Sequence, residues 1–420
     1  MDSVTEFELG YIEELGFVAG PVVSMGFGNV PVLHFAVEEY HPRWGARTSN
    51  PVKSVNDRLG GFNSCLFRQI TATNKHLKSL SKYGGIMKNS SSSSSSLYRG
   101  IAFTLFAILF AGSVSAQSSP PSSPPTDWGP MSINLEEFEY PYPVEYMNFG
   151  VYGEDVRIAY MDVAPTGSAN GRTVILHHGG LYYGWYWSKQ IKALAQEGYR
   201  VVVKDRLGWG KSSKPIIPYS ISLWASNTAR LMDHLGIEQA AVVGHSIGGQ
   251  MVTRFAFLYP ERTTHLVTVN QVGLTDRRFG RGFQSLTGEV DANPDMEAVY
   301  TNLLRWASGN YSAWHPEFLE HMRIRYGQRL SGDWPRLAHV SRLTSHMRAM
   351  DTVVNDRQHI QTKTLVLGGA EDYPTFAEEA RHAANQFPNG EVFLIPNVGH
   401  NPHEEVPDTV NAELIRFLGS

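Results

Sequence analysis

Cysteine is nearly absent: the 420-residue chain has one, Cys65. One thiol closes no disulfide within the chain and builds no cysteine-rich metal site. A positive excess is missing too. The 36 Lys and Arg stand against 40 Asp and Glu, a formal net charge of −4, which leaves no electrostatic footprint for nucleic acid. Nor is there an uninterrupted apolar run of about 20 residues, the length a spanning helix needs. What remains, 42% hydrophobic and 18% charged residues, is the composition of an ordinary globular protein.

The apolar run Ile101–Ala111 is short, but its flanks give it a meaning. Met87-Lys88 opens a polar, basic stretch with serines from Ser90 to Ser96 and Arg99, and Val114-Ser115-Ala116 closes the run. A charged start, a short apolar middle and a small-residue end make 87–116 a secretory signal peptide, with cleavage expected before Gln117. If uncleaved, it would anchor the chain, Lys88 and Arg99 keeping its N-terminal side cytoplasmic. A membrane partner is expected only in that case, and the C-terminal part is exported either way. Residues 1–86 carry no sustained period and read as disordered or as an over-long gene model. Residues 117–137, rich in Ser and Pro, read as a linker. The sequon Asn310-Tyr311-Ser312 suits an exported chain.

From Phe138 onward, short strands alternate with helices. Val144–Tyr152 and Asp155–Val163 read as an antiparallel pair, followed by strands at Arg172–Leu176, Tyr199–Lys204, Gln239–Val243 and His265–Val269. Strand, helix, strand alternation implies a parallel sheet with helices on both faces. Over 275–361 the strands stop and three helical patterns appear, at Met296–Ser308, Glu317–Leu330 and Leu337–Val354. That is too long for a loop and reads as a helical cap between core segments 138–274 and 362–420. Strands resume at Thr364–Leu367 and Glu391–Ile395.

The chemistry centres on Gly244-His245-Ser246-Ile247-Gly248, a Gly-x-Ser-x-Gly between an apolar run and a helical segment. This is the form of a nucleophile elbow, a sharp strand-to-helix turn that exposes a serine hydroxyl. Asp372 and Glu371 follow one strand and His400 another, which gives the order Ser, acid, His. His177-His178-Gly179-Gly180 ends an earlier strand and can offer a backbone N–H to an oxyanion. The Asp205-Arg206 dipeptide reads as a structural pair, and its Gly-rich loop lacks the spacing of a phosphate-binding loop.

Together these segments resemble the α/β-hydrolase superfamily, in its cap-bearing branch of serine esterases, C–C hydrolases and epoxide hydrolases. The resemblance runs from about Phe138 to the C-terminus. It rests on His178-Gly179, Asp205-x-x-Gly208-x-Gly210-x-Ser212, Gly244-His245-Ser246-Ile247-Gly248-Gly249, Tyr259-Pro260-Glu261-Arg262, Gly369-x-x-Asp372 and Gly399-His400. It implies an α/β fold with a mostly parallel eight-stranded sheet and a helical cap after the sixth strand. Ser246 would be the nucleophile, His400 the base and Asp372 its orienting acid, with Gly180 and Ile247 as oxyanion-hole donors. Glu371 and His403 are the rival acid and base, and a metal held by His400, His403 and Glu404 is the weaker alternative.

Epoxide hydrolases and haloalkane dehalogenases of the family attack with aspartate, so Ser246 favours acyl transfer. The expected substrate is a small or medium apolar ester or lactone, with no cofactor and no metal. Other chemistry on the same triad (C–C hydrolysis, acyl transfer, cofactor-free perhydrolysis) and a non-catalytic binding role are the alternatives. A histidine base must be neutral to take a proton, so activity is expected to fall on the acid side.

Overall fold

A computed structural model describes residues 119–278 and 290–420. The segments read as an N-terminal extension and a signal peptide lie outside the described residues. Eight strands form one sheet: β1 (Glu145–Val151), β2 (Glu154–Val163), β3 (Thr173–His177), β4 (Arg200–Lys204), β5 (Ala240–His245), β6 (Thr263–Val269), β7 (Lys363–Gly369) and β8 (Gly390–Ile395). Their order is β1-β2-β4-β3-β5-β6-β7-β8. Strands β1 and β2 pair antiparallel, as do β2 and β4, and every later pairing is parallel. The fold expected from the sequence is the one observed.

The central strands carry apolar residues on successive positions, Val174-Ile175-Leu176 in β3, Val201-Val202-Val203 in β4 and Ala240-Ala241-Val242-Val243 in β5, because both faces are covered. Alternate residues point to opposite sides. Val174, Leu176, Val201, Val203 and Val243 meet α1 (Ser188–Gln196) and the C-terminal helix. Ile175, Val202, Val242 and Val366 meet α2 (Ile221–His234), α3 (Ile247–Leu258) and a helix that follows β7. The Ser220 hydroxyl caps α2 by accepting from the Leu223 N–H at 2.9 Å, satisfying one of the helix's orphan donors.

Between β6 and β7 the chain forms α4 (Met296–Asn310), α5 (Leu319–Arg329) and α6 (Trp334–Met350). These helices pack on loops at the carboxyl ends of the strands. Arg325 of α5 donates to the Leu181 carbonyl, and the Tyr311 hydroxyl donates to Glu404 at 2.9 Å. After β7 come α7 (Phe376–Gln386), the single turn α8 (Pro402–Glu405) and α9 (Pro407–Leu418). No helix among the described residues is long and apolar enough to cross a membrane.

The stretch 117–137 departs from the linker reading in its second half. Trp128, Met131, Ile133 and Leu135 are buried. Trp128 sits between Tyr300 and Tyr326, at centroid distances of 5.9 and 5.4 Å, and the Met131 N–H donates to Gly327 O at 3.0 Å. Average composition hid apolar side chains that pack in two places, Trp128 in a cluster with Tyr300 and Leu303 of α4 and Met322 of α5, and Met131 and Leu135 in one with Tyr183, Trp209 and Ile324.

Candidate active site

Strand β5 ends at His245 and α3 begins at Ile247, so Ser246 has to make the whole turn. It does so with φ 55° and ψ −118°, a strained backbone for a side chain with a Cβ. The turn closes only because its neighbours are small. A Cβ on Gly244 would lie 2.2 Å from Gly248 O, and one on Gly248 would lie 2.5 Å from His177 O. The Ser246 N–H donates to Val269 O at 2.9 Å, which fixes the elbow to β6. Ile247 is the first residue of α3, where backbone N–H groups have no intrahelical acceptor and the helix dipole is positive.

Beside the elbow, the loop after β3 is held on two sides. The Gly179 N–H donates to the Tyr186 hydroxyl at 2.8 Å. The Gly179 carbonyl accepts from Arg206 Nη1 at 2.6 Å and from His178 Nδ1 at 2.8 Å. His178 Nε2 accepts from the Arg206 N–H at 3.1 Å, which leaves the ring proton on Nδ1. A trans peptide points its C=O and N–H in opposite directions. The Gly180 N–H is therefore turned away from the His178 and Arg206 side. Burial, with Arg206 alongside, holds His178 neutral by pushing its pKa well down.

Asp205 and Arg206 are not a pair with each other, contrary to the sequence reading. Asp205 accepts from the Gly184 N–H, the Lys211 N–H and the Tyr140 hydroxyl, each at 2.7 Å. Arg206 turns the other way, to the loop carrying Gly179. Adjacent residues at the end of a strand face opposite sides, and each found its partners there.

The acid and the base come from two further strand ends. His400 Nδ1 lies 2.8 Å from Asp372 Oδ2, and the two loops are joined by the Glu371 N–H donating to Val398 O at 3.0 Å. His400 reaches the elbow through its neighbour: the rings of His245 and His400 are 4.8 Å apart. Ser246, Asp372 and His400, with Gly180 and Ile247, thus stand at one edge of the sheet.

Residues 172–407 match the alpha/beta hydrolase fold. The chain belongs to the α/β hydrolase family. A probable hydrolytic enzyme from Pseudomonas aeruginosa PAO1 superposes with a TM-score of 0.65 at 32% identity, covering 70% of this chain and 99% of its own. The 2-hydroxy-6-oxononadienedioate/2-hydroxy-6-oxononatrienedioate hydrolase of Paraburkholderia phymatum is 28% identical over 66% of this chain and 95% of its own. An N-acyl homoserine lactone degrading enzyme, Est816, aligns at 26% identity with a TM-score of 0.50, over 64% of this chain and 100% of its own.

The rival residues of this α/β hydrolase are placed elsewhere. Glu371 is exposed, while Asp372 takes the histidine. His403 is fully buried, its ring 4.4 Å from Trp187 and 4.6 Å from Tyr186. Burial pushes its pKa down to about 3. Glu404 turns to His321 and Tyr311, and no group of three metal-ligating side chains occurs among the described residues. Of the aromatics after Gly180, Tyr182, Tyr183, Tyr186 and Trp187 are buried in packing. The sequon nitrogen of Asn310 is engaged, donating to Trp306 O at 2.8 Å, and the Asn310 carbonyl accepts from the His400 N–H.

Sequence reasoning missed Asn270. Its Nδ2 donates to Asp372 Oδ2 at 2.9 Å, and its Oδ1 accepts from the Gly369 N–H at 2.9 Å. The backbone donor fixes the amide's orientation, so Asn270 presents an N–H to the same oxygen that holds His400. The available signal was a polar residue after an apolar strand, at φ 40°, a conformation asparagine tolerates better than most.

Proposed function

We propose that this α/β hydrolase is an exported serine hydrolase that cleaves a small or medium apolar carboxylic ester or a lactone through an acyl-enzyme. The observation that carries the reading is the 2.8 Å contact between His400 and Asp372, next to a serine on a strained elbow. With Nδ1 turned to Asp372, His400 has Nε2 left for the serine proton. Ser246 Oγ attacks the carbonyl carbon while His400 takes its proton, and the oxyanion forms against the N–H groups of Gly180 and Ile247. Each such donor contributes about 3 kcal/mol to the transition state. His400 then returns the proton to the leaving alcohol, and a water repeats the sequence to free the acid. Asp372 stabilises the imidazolium formed in each half.

The apolar preference is supported by the surroundings of the elbow. Val340 and Met347 of α6 pack in one buried cluster with Ile247, the residue after Ser246, and Met251, and Val272 and Leu343 join them. Leu181, next to Gly180, is 40% exposed. Export is supported by the pattern of residues 87–116, and protein recovered from the medium with Gln117 at its N-terminus would test it; retention of Met87 would overturn cleavage.

The test of the reaction is a p-nitrophenyl ester series, from acetate to longer acyl chains, with the wild type and Ser246→Ala. Turnover lost in the variant supports the reading, and turnover that survives the substitution overturns it. The similarity to a C–C bond hydrolase favours a second reading on the same residues. Cleavage of a dienedioate of that class, with no ester turned over, would select it.

A further inference from the structure

Three buried polar groups near the elbow form a chain whose every polarity is determined. The Tyr186 hydroxyl accepts from the Gly179 N–H at 2.8 Å, so its single proton goes to its other partner, His245 Nδ1, at 2.9 Å. His245 Nδ1 is then an acceptor, and the ring's proton sits on Nε2. From there it is donated to the backbone carbonyl of His400 at 2.9 Å. Both side chains are buried, and Tyr186 is clamped by stacking on Tyr182 at 4.9 Å.

The two ends of this chain belong to separate loops. One end is the residue before Gly180, and the other is the backbone of His400. Arg206 and His178 hold the carbonyl of Gly179, while Tyr186 alone is seen to hold its N–H. We propose that Tyr186 and His245 are positioning residues, a strut that sets the separation between the oxyanion loop and the loop carrying the base. The proposal rests on the serine hydrolase reading for its kinetic consequence, and on the hydrogen-bond polarities alone for its structural one. Two catalytic parts that act on one carbonyl carbon must hold their spacing closely. A 1 Å misplacement costs up to about a hundredfold in rate.

A packing role and a strut role predict opposite orders of variants. His245→Phe keeps the ring and loses both hydrogen bonds. His245→Gln loses the ring and keeps one donor and one acceptor at similar spacing. The strut predicts that His245→Phe lowers kcat by about tenfold to a hundredfold with KM changed little, and that His245→Gln retains more of the rate. Phe closer to wild type than Gln would overturn it. Tyr186→Phe removes one hydroxyl and serves if the His245 variants do not fold; the strut predicts the same fall in kcat, and an unchanged kcat would overturn it.

A second readout needs no substrate. Nitrogen-15 shifts of the imidazoles should show His245 as the Nε2–H tautomer in the wild type, held by the His400 carbonyl, with the Nδ1 resonance moving in Tyr186→Phe to that of a nitrogen that has lost its hydrogen-bond donor. The Nδ1–H tautomer in the wild type, or an Nδ1 shift that does not move in the variant, would overturn the strut whatever the reaction. The fixed tautomer found in a protein that turns over no ester would leave the strut standing and sink the hydrolase reading.

Discussion

Two histidine–carboxylate pairs lie close together in this molecule, and their chemistry on paper is the same. His400 Nδ1 meets Asp372 Oδ2 at 2.8 Å, and His321 Nε2 meets Glu404 Oε1 at 2.7 Å. Exposure separates them only a little, at 12% and 9% for the first pair against 1% and 11% for the second. What separates them is the remaining ring nitrogen. His321 is walled in by Trp185, Tyr182 and Trp306, and its Nδ1 is buried without a partner. His400 stands beside the elbow. A carboxylate makes a histidine useful only if the histidine's other side faces something that can react.

The sharpest way to break this comparison is to treat the pairs alike. Ser246→Ala and His400→Gln should each lower kcat by about a millionfold, whereas His321→Gln should leave kcat within a few fold. A comparable loss from His321→Gln in folded protein would mean that the second pair also serves the reaction. The carboxylates come next. Asp372→Asn should cost about ten-thousandfold in kcat. Glu404→Gln should instead lower stability by about 1–3 kcal/mol, the cost of an unsatisfied buried partner, as read by urea unfolding.

A smaller effect sharpens the difference from the side of the acid. Asn270→Ala removes one donor to Asp372 and should lower kcat about tenfold, consistent with the net value of one hydrogen bond to a charged group; an unchanged kcat would leave the amide with a structural role only. The gentlest test is acid. Burial holds His177, His178 and His245 well below the ordinary histidine value of 6.5, and pushes His403 from there to about 3. Between those folded values and 6.5 the unfolded chain binds more protons than the folded one. Stability should therefore fall as pH drops below 6.5, by at most about 1.4 kcal/mol per unit for each histidine. Urea midpoints at pH 7.5, 6.5 and 5.5 would show it, and His403→Phe should flatten the slope. Midpoints that do not move would rule out these histidines as the acid-sensitive element.

The sheet was legible in the sequence because its strands carry their own pattern: Val174-Ile175-Leu176 and Val201-Val202-Val203 are apolar on both faces and end in the loops that bear chemistry. Ser246, Asp372 and His400 could be named because each lies on the loop or turn that follows a strand, β5, β7 and β8 in turn. The groups that hold them could not. Tyr186 finds His245 across 59 residues, His245 finds His400 across 155, and Asn270 finds Asp372 across 102. Such pairings are decided by which strand ends the topology makes neighbours, and local spacing holds no trace of them. Trp128 was missed for the opposite reason: its prolines and serines spoke louder than one indole.

That indole has a practical consequence. The segment from Trp128 to Leu135 covers α5 and is bonded to it at Gly327 and Gln328, while Gln328 also accepts from the Tyr183 hydroxyl at 2.9 Å. A chain trimmed to begin at β1 would keep every strand and each residue proposed for the reaction, yet would expose to water one flank of the helices packed over the strand ends. Such a shortened enzyme should lose its selectivity among substrates before it loses its fold.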